Sequence, residues 1–143
     1  MRFVIPTPAP RERAFEAVAD FGRLEEWEPT IASSSWTEGA WPSVGSRVCL
    51  ITKPWFSGAK LVYPLDSLEP GRSARHTGGT EPIRSVDTIT CVKRPTGSVV
   101  IIQTDLDAHG AWSPLAPVIR LGIGVLGSAV ITPAMRGHLE NLD

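Results

Sequence analysis

Four ionisable side chains are candidates for acid–base chemistry in this 143-residue chain: Arg75, Asp87, Asp105 and His109. Such chemistry needs an ionisable group inside a pocket with a shifted pKa. Asp87 shares a strand face with Ser85, and an inward Asp87 would have a raised pKa because burial penalises a charged carboxylate. A pair between Arg75 and Asp87 on neighbouring strands is the structural alternative. The sequence therefore supplies candidates but assigns no catalytic residue.

The other polar candidates have competing explanations. An inward Arg75 would bind a ligand carboxylate or phenolate, whereas arginine is rarely buried without a partner and more often points outward. Gln103 and Asp105 share a face with Val99 and Ile101, which predicts polar groups on an apolar face that would orient a ligand. His109 lies at a junction before the last segment, where an exposed loop histidine is the simpler interpretation.

Metal and nucleotide chemistry are not indicated. His76, His109 and His138 form no HxH, HExxH or His/Cys cluster. No glycine-rich phosphate loop follows a predicted strand, and no GxSxG elbow is present. We therefore expect no metal and no cofactor.

Composition indicates an ordinary soluble domain. The 14 basic and 15 acidic residues give a net charge of -1, and the basic residues are scattered, so a nucleic-acid partner is not expected. Cys49 and Cys91 have no metal-ligand spacing and are predicted to be reduced and buried. The N-terminal residues lack the pattern of a signal peptide, which favours a cytoplasmic protein. Residues 1–143 are interpreted as a single domain.

The elements that would position these residues begin with a short strand over residues 2–5. Thr7 and Pro8 predict the start of a helix, and Asp20 predicts the cap of a second, short helix over residues 21–26. Glycine and proline residues then separate six short segments in which apolar and polar side chains tend to alternate. This pattern predicts an antiparallel meander of strands. These segments are residues 32–37, 46–52, 59–68, 72–77, 83–93 and 98–105.

The last third of the chain predicts a long apolar helix over residues 115–142. Its longest apolar run, residues 115–131, is interrupted by Arg120 and is too short for a membrane span. The helix is apolar on nearly all sides, so it is buried on more than one side, or faces a cavity or a partner. Pro133 should bend or divide it. Four small residues would leave room for a ligand or for a second copy of the chain: Gly122, Gly124, Gly127 and Ala129.

Three stretches carry a family resemblance. Residues 5–29 run from Ile5–Pro6 through Asp20 to Trp27–Glu28–Pro29. Residues 44–47 place a glycine before a long strand. Thr104–Asp105–Leu106, with Gly110, Leu115 and Pro117, leads into the last helix. In this order they resemble the START-like superfamily, in its polyketide cyclase/dehydrase and lipid transport (SRPBCC) branch.

The resemblance implies an α+β helix-grip fold, in which a curved antiparallel sheet wraps around the C-terminal helix and leaves a cavity. It implies binding of a small hydrophobic ligand such as a lipid, polyketide or aromatic compound. The alternative is a polyketide cyclase or dehydratase that uses acid–base residues in that cavity. The residues expected to line the cavity are Trp27, Trp55, Tyr63, Gln103, Trp112, Ile119, Gly122, Ile123 and Leu126.

Overall fold

The main element of the fold is a curved, seven-stranded antiparallel sheet. The structure is a computed structural model that describes residues 1–55, 58–80, 83–108, 110, 114 and 131–142. Strands β2 to β7 form a meander in chain order, and β1 is added beside β7. The predicted meander is confirmed. The strands are β1 Arg2–Thr7, β2 Ile31–Glu38, β3 Arg47–Thr52, β4 Lys60–Glu69, β5 Ser73–Thr80, β6 Ile83–Arg94 and β7 Gly97–Ala108.

Two short helical elements follow β1, namely α1 (Arg11–Ala19) and a 3-10 helix, η1 (Phe21–Glu26). The helix start predicted at Thr7 is wrong, because Thr7 pairs with β7 and the N-cap of α1 is Pro10. The Thr7 hydroxyl instead accepts a hydrogen bond from the backbone N–H of Ala9 at 3.2 Å. At the start of η1, the Asp20 carboxylate accepts the N–H of Gly22 at 2.9 Å.

The C-terminal helix α2 spans Thr132–Glu140, with Pro133 in its first turn. Met135 and Leu139 are buried, and α2 packs against β1 and α1. The prediction that the helix starts near residue 115 and bends at Pro133 concerns residues 115–130, which lie outside the described part of the chain.

One face of the sheet is buried and is called the inner face below. The cross-strand pairs Val48–Tyr63, Ile89–Ile102 and Cys91–Val100 place their side chains on it. α1 covers the inner face at β6 and β7. Within the described ranges, the core comprises 21 buried residues, among them Ile5, Phe15, Val18, Leu50, Leu65 and Ala74.

Cys49 and Cys91 are both buried free thiols, as predicted. Burial raises the pKa of Cys91 to about 12, so its thiol stays protonated at neutral pH.

No helix in the described residues is long and apolar enough to span a membrane.

Candidate functional site

A polar cluster lies on the inner face of β6 and β7. The Asp87 carboxylate accepts a hydrogen bond from the Thr104 hydroxyl at 2.7 Å and another from the Ser85 hydroxyl at 3.0 Å. Asp87 and Thr104 are direct cross-strand partners, and Ser85 is two residues from Asp87 on the same strand. Strand alternation therefore places all three side chains on one face.

Tyr63 joins this cluster from β4. Burial raises the pKa of the Tyr63 hydroxyl, the negative charge of Asp87 raises it further, and a hydrogen bond with Ser85 lowers it. Tyr63 is only 8 % exposed. Between Tyr63 and Ser85 lies Gly78 of β5, whose missing side chain is essential there. A Cβ on Gly78 would overlap the carbonyl oxygen of Val62 and approach the Tyr63 ring at 2.9 Å.

Asp87 has the electrostatics of an acid–base group. Burial raises its pKa to about 6, the hydrogen bonds from Thr104 and Ser85 lower it, and the charge of Asp105 raises it. At neutral pH the carboxyl is mostly ionised and can accept a proton or a hydrogen bond. Asp87 and Thr104 are half-buried, beside the fully buried Ile89 and Val100 on the same face.

His76 lies beside this cluster on β5 and is fully buried. Its Nε2–H donates to the carbonyl oxygen of Ala19 at 2.8 Å, and its ring stacks on Phe21 with a centroid distance of 3.8 Å. Burial lowers its pKa to about 4, so the imidazole is neutral at pH 7. Its Nδ1 is buried without a hydrogen-bond partner in the described part of the chain. Strand alternation predicts an inward His76 wherever Arg75 points outward, and this is the signal in the sequence that identifies it.

Aromatic rings surround His76 and continue toward Tyr63. Trp36 and Trp41 have ring centroids 6.3 and 6.4 Å from the imidazole, and Phe21 meets Tyr63 edge-on at 6.0 Å. The indole N–H of Trp36 donates to Asp20 at 2.8 Å. The polar cluster therefore lies next to a large surface formed by apolar and aromatic side chains.

Of the predicted site residues, Asp87 and Tyr63 are brought together. Arg75, Gln103 and Asp105 are exposed on the outer face. The outward orientation favoured for Arg75 is therefore found, whereas the interpretation that placed Gln103 and Asp105 in a pocket is wrong. Arg75 pairs with Thr88 and not with Asp87, which also excludes the proposed Arg75–Asp87 pair.

The remaining predicted residues are separate from the cluster or outside the described residues. Trp27 is buried, and its indole N–H has no partner in the described ranges. Trp55 is 64 % exposed beyond β3. The structure does not describe His109, Trp112, Ile119, Gly122, Ile123 and Leu126. Its described residues contain no group of three or more His, Cys, Asp or Glu able to hold a metal ion.

Comparison of the sequence with protein families gives a match over residues 2–143 to the family described as polyketide cyclase / dehydrase and lipid transport. Comparison with curated individual proteins gives no significant match.

Several solved structures share the fold. A START superfamily protein from Mycobacterium smegmatis superposes with a TM-score of 0.75 at 12% identity, covering 100% of this chain and 98% of the other. A protein from Chromobacterium violaceum gives a TM-score of 0.70 at 21% identity, with 98% and 96% covered. DynU16, from the dynemicin biosynthetic locus, gives 0.66 at 16% identity, with 99% of this chain but 47% of DynU16 covered. At these identities the likeness shows the fold alone.

Proposed function

The chain belongs to the polyketide cyclase/dehydrase and lipid transport family, and on that premise we propose that it binds a small hydrophobic molecule against the inner face of its sheet. The family is known for binding hydrophobic ligands and includes polyketide cyclases. The proposal assigns the polar cluster of Tyr63, Ser85, Asp87 and Thr104 to the polar end of that molecule.

The observation that carries the proposal is the partial exposure of Asp87, Thr104 and Ile102 in the middle of a buried face. Their neighbours Ile89 and Val100 are 2% and 0% exposed. A mostly apolar surface with a few convergent polar groups is the usual composition of a small-molecule site. On sequence grounds, the proposal assigns further ligand contacts to Trp112, Ile119, Gly122, Ile123 and Leu126.

Two adjacent residues of β7 provide a matched test. Ile102 lies on the inner face, and Ile101 lies on the outer face beside Thr90 and Val4. We expect Ile102→Trp to occupy the ligand's space and to weaken binding of the apolar dye N-phenyl-1-naphthylamine by about tenfold or more, or about 1.4 kcal/mol. Ile101→Trp should leave dye binding unchanged.

Dye fluorescence is excited directly, so that the added tryptophan does not alter the signal, and circular dichroism checks folding. Equal affinity in the wild type and both variants would place the dye elsewhere and contradict the proposal. In a separate experiment, native mass spectrometry of protein purified from its own host would identify any retained lipid or polyketide.

A second candidate function is cyclisation or dehydration of a polyketide-like substrate, and the Asp87 carboxyl favours it. A pKa of about 6 is suited to a general base that takes a proton from a carbon beside a carbonyl and later returns it to a leaving hydroxyl as water departs. The test is mass spectrometry of host extracts incubated with the protein. Loss of one water from an extracted compound, with wild type but not with Asp87→Asn, supports catalysis; identical masses with both proteins contradict it.

A further inference from the structure

The hydroxyl protons of Ser85 and Thr104 already take part in hydrogen bonds. Ser85 and Thr104 each carry one O–H, and both donate it to Asp87. Their remaining hydrogen-bonding capacity is therefore lone pairs, which can only accept. The carboxylate itself, with two oxygens, also has only acceptor capacity left while it is ionised.

Tyr63 lies beside these groups, and its hydroxyl stays protonated at neutral pH because burial and the charge of Asp87 raise its pKa. The hydroxyl protons of Ser85 and Thr104 both point toward one carboxylate. What Ser85, Asp87 and Thr104 present to a ligand is oxygen lone pairs and a single negative charge.

Basic side chains near Asp87 do not compensate this charge in the described part of the chain. Arg75 and Arg84 are exposed on the outer face. Among the described residues, the charged group that acts on Asp87 is Asp105, a second acid, and the neighbouring His76 is neutral at pH 7. An anionic ligand group would therefore meet like charge, and the hydroxyls of Ser85 and Thr104 would offer it no hydrogen-bond donor to offset its desolvation.

We propose that the polar end of the bound molecule is a hydrogen-bond donor, a hydroxyl or an amine, and that the site selects against carboxylates and phosphates. The inference rests on the proposed function, because it assumes that the ligand lies against the inner face. It narrows the ligand class to alcohols, phenols and protonated amines with an apolar body.

Competition against N-phenyl-1-naphthylamine at pH 7.5 tests the selectivity with compounds of matched size. Decan-1-ol and decylamine should displace the dye, whereas decanoate should bind about tenfold more weakly or worse because of charge repulsion. Nonyl methyl ether has the atoms of decan-1-ol without its O–H, and should bind roughly threefold to tenfold more weakly.

Asp87→Asn supplies the decisive variant because it removes the charge and adds an amide donor. We expect this change to reduce the preference for decan-1-ol over decanoate by about tenfold, through a gain in decanoate affinity that a folding defect cannot produce. The matched control, Asp105→Asn on the outer face, should change the preference by less than about twofold, since exposed charges are screened.

The outcomes separate the two claims. If the dye binds on the inner face but decanoate competes as well as decan-1-ol, with no change in Asp87→Asn, the donor inference is overturned and the proposed function stands. If the dye and every competitor fail to bind, or Ile102→Trp leaves dye binding unchanged, the proposed function itself fails.

Discussion

His76 and Asp87 face each other across β5 and β6 on the inner face, and burial shifts both side chains toward their neutral forms. The pKa of His76 is lowered to about 4, and that of Asp87 is raised to about 6. At pH 7.5 Asp87 is charged and His76 is not. The two groups therefore make opposite contributions to the pH dependence of stability.

Asp87→Asn is expected to stabilise the folded protein at pH 7.5. The carboxyl pKa is 3.8 in its ordinary state and about 6 when folded, so between these values the folded protein binds more protons and its stability falls as pH rises. Above pH 6 the loss is complete. Asn carries no charge and so removes this destabilisation. It should raise the free energy of unfolding by about 1–3 kcal/mol at pH 7.5 and change it little at pH 4. Urea denaturation at pH 7.5 and at pH 4 measures the two free energies of unfolding. A variant that is less stable than wild type at pH 7.5 contradicts the view that the buried charge of Asp87 destabilises the fold.

His76→Phe tests the opposite pH dependence, a loss of stability as the pH falls. The folded pKa of His76, about 4, lies below the ordinary 6.5, so the unfolded chain binds the proton first and stability is lost as pH falls from 6.5 toward 4. Phe keeps the stacking on Phe21 but loses the bond to Ala19, at a cost of about 1 kcal/mol at pH 7. The stability difference from wild type should shrink or reverse by about 2–3 kcal/mol at pH 4.5. Parallel pH profiles for the two proteins are the contrary result.

Gly78→Ala should destabilise the protein by about 2 kcal/mol or more, because its Cβ would overlap the Val62 carbonyl and press on Tyr63. Gly137→Ala is the control. It lies within α2, where an added Cβ meets no other described residue within 4 Å outside its own helix turn, and the substitution should stabilise by about 0.5–1 kcal/mol. Thermal unfolding distinguishes the two, and an equal effect of both substitutions would refute the packing argument for Gly78.

Trp36→Phe removes a hydrogen bond to the Asp20 carboxylate that ties β2 to η1. We expect a loss of about 1.5–3 kcal/mol, as for bonds to charged groups. Trp41→Phe removes a bond of the same 2.8 Å length to Glu16 on the surface, and should cost less than about 1 kcal/mol. Chemical denaturation of the two variants should show this difference; a larger cost for Trp41→Phe would contradict the assigned role of Asp20.

Part of this arrangement was predictable from the sequence. Glycine and proline punctuation predicted the meander, and alternation placed Asp87 with Ser85 and Ile89. The facing of β7 was not predictable, because residues 99–102 are apolar on both faces and the alternation carries no signal there. Only the register with β1 and β6 places Gln103 and Asp105 outside.

Tertiary contacts explain what the sequence could not predict. Tyr63 lies near Ser85 and Asp87 across β5, and this arrangement depends on Gly78, which is 15 residues from Tyr63 in the sequence. The start of α1 was predicted too early because the pairing of Thr7 with Ser98 favours the strand over local capping.

The central claim is that a small apolar molecule binds on the inner face with its polar end at Asp87. Carbon-13 methyl NMR of the isoleucines during titration with decan-1-ol tests it most directly. The claim predicts saturable shifts at Ile89 and Ile102, with the outer-face Ile51 and Ile101 unchanged, and weaker shifts when nonyl methyl ether replaces the alcohol. Shifts confined to Ile51 and Ile101, or none at saturating alcohol, would contradict it.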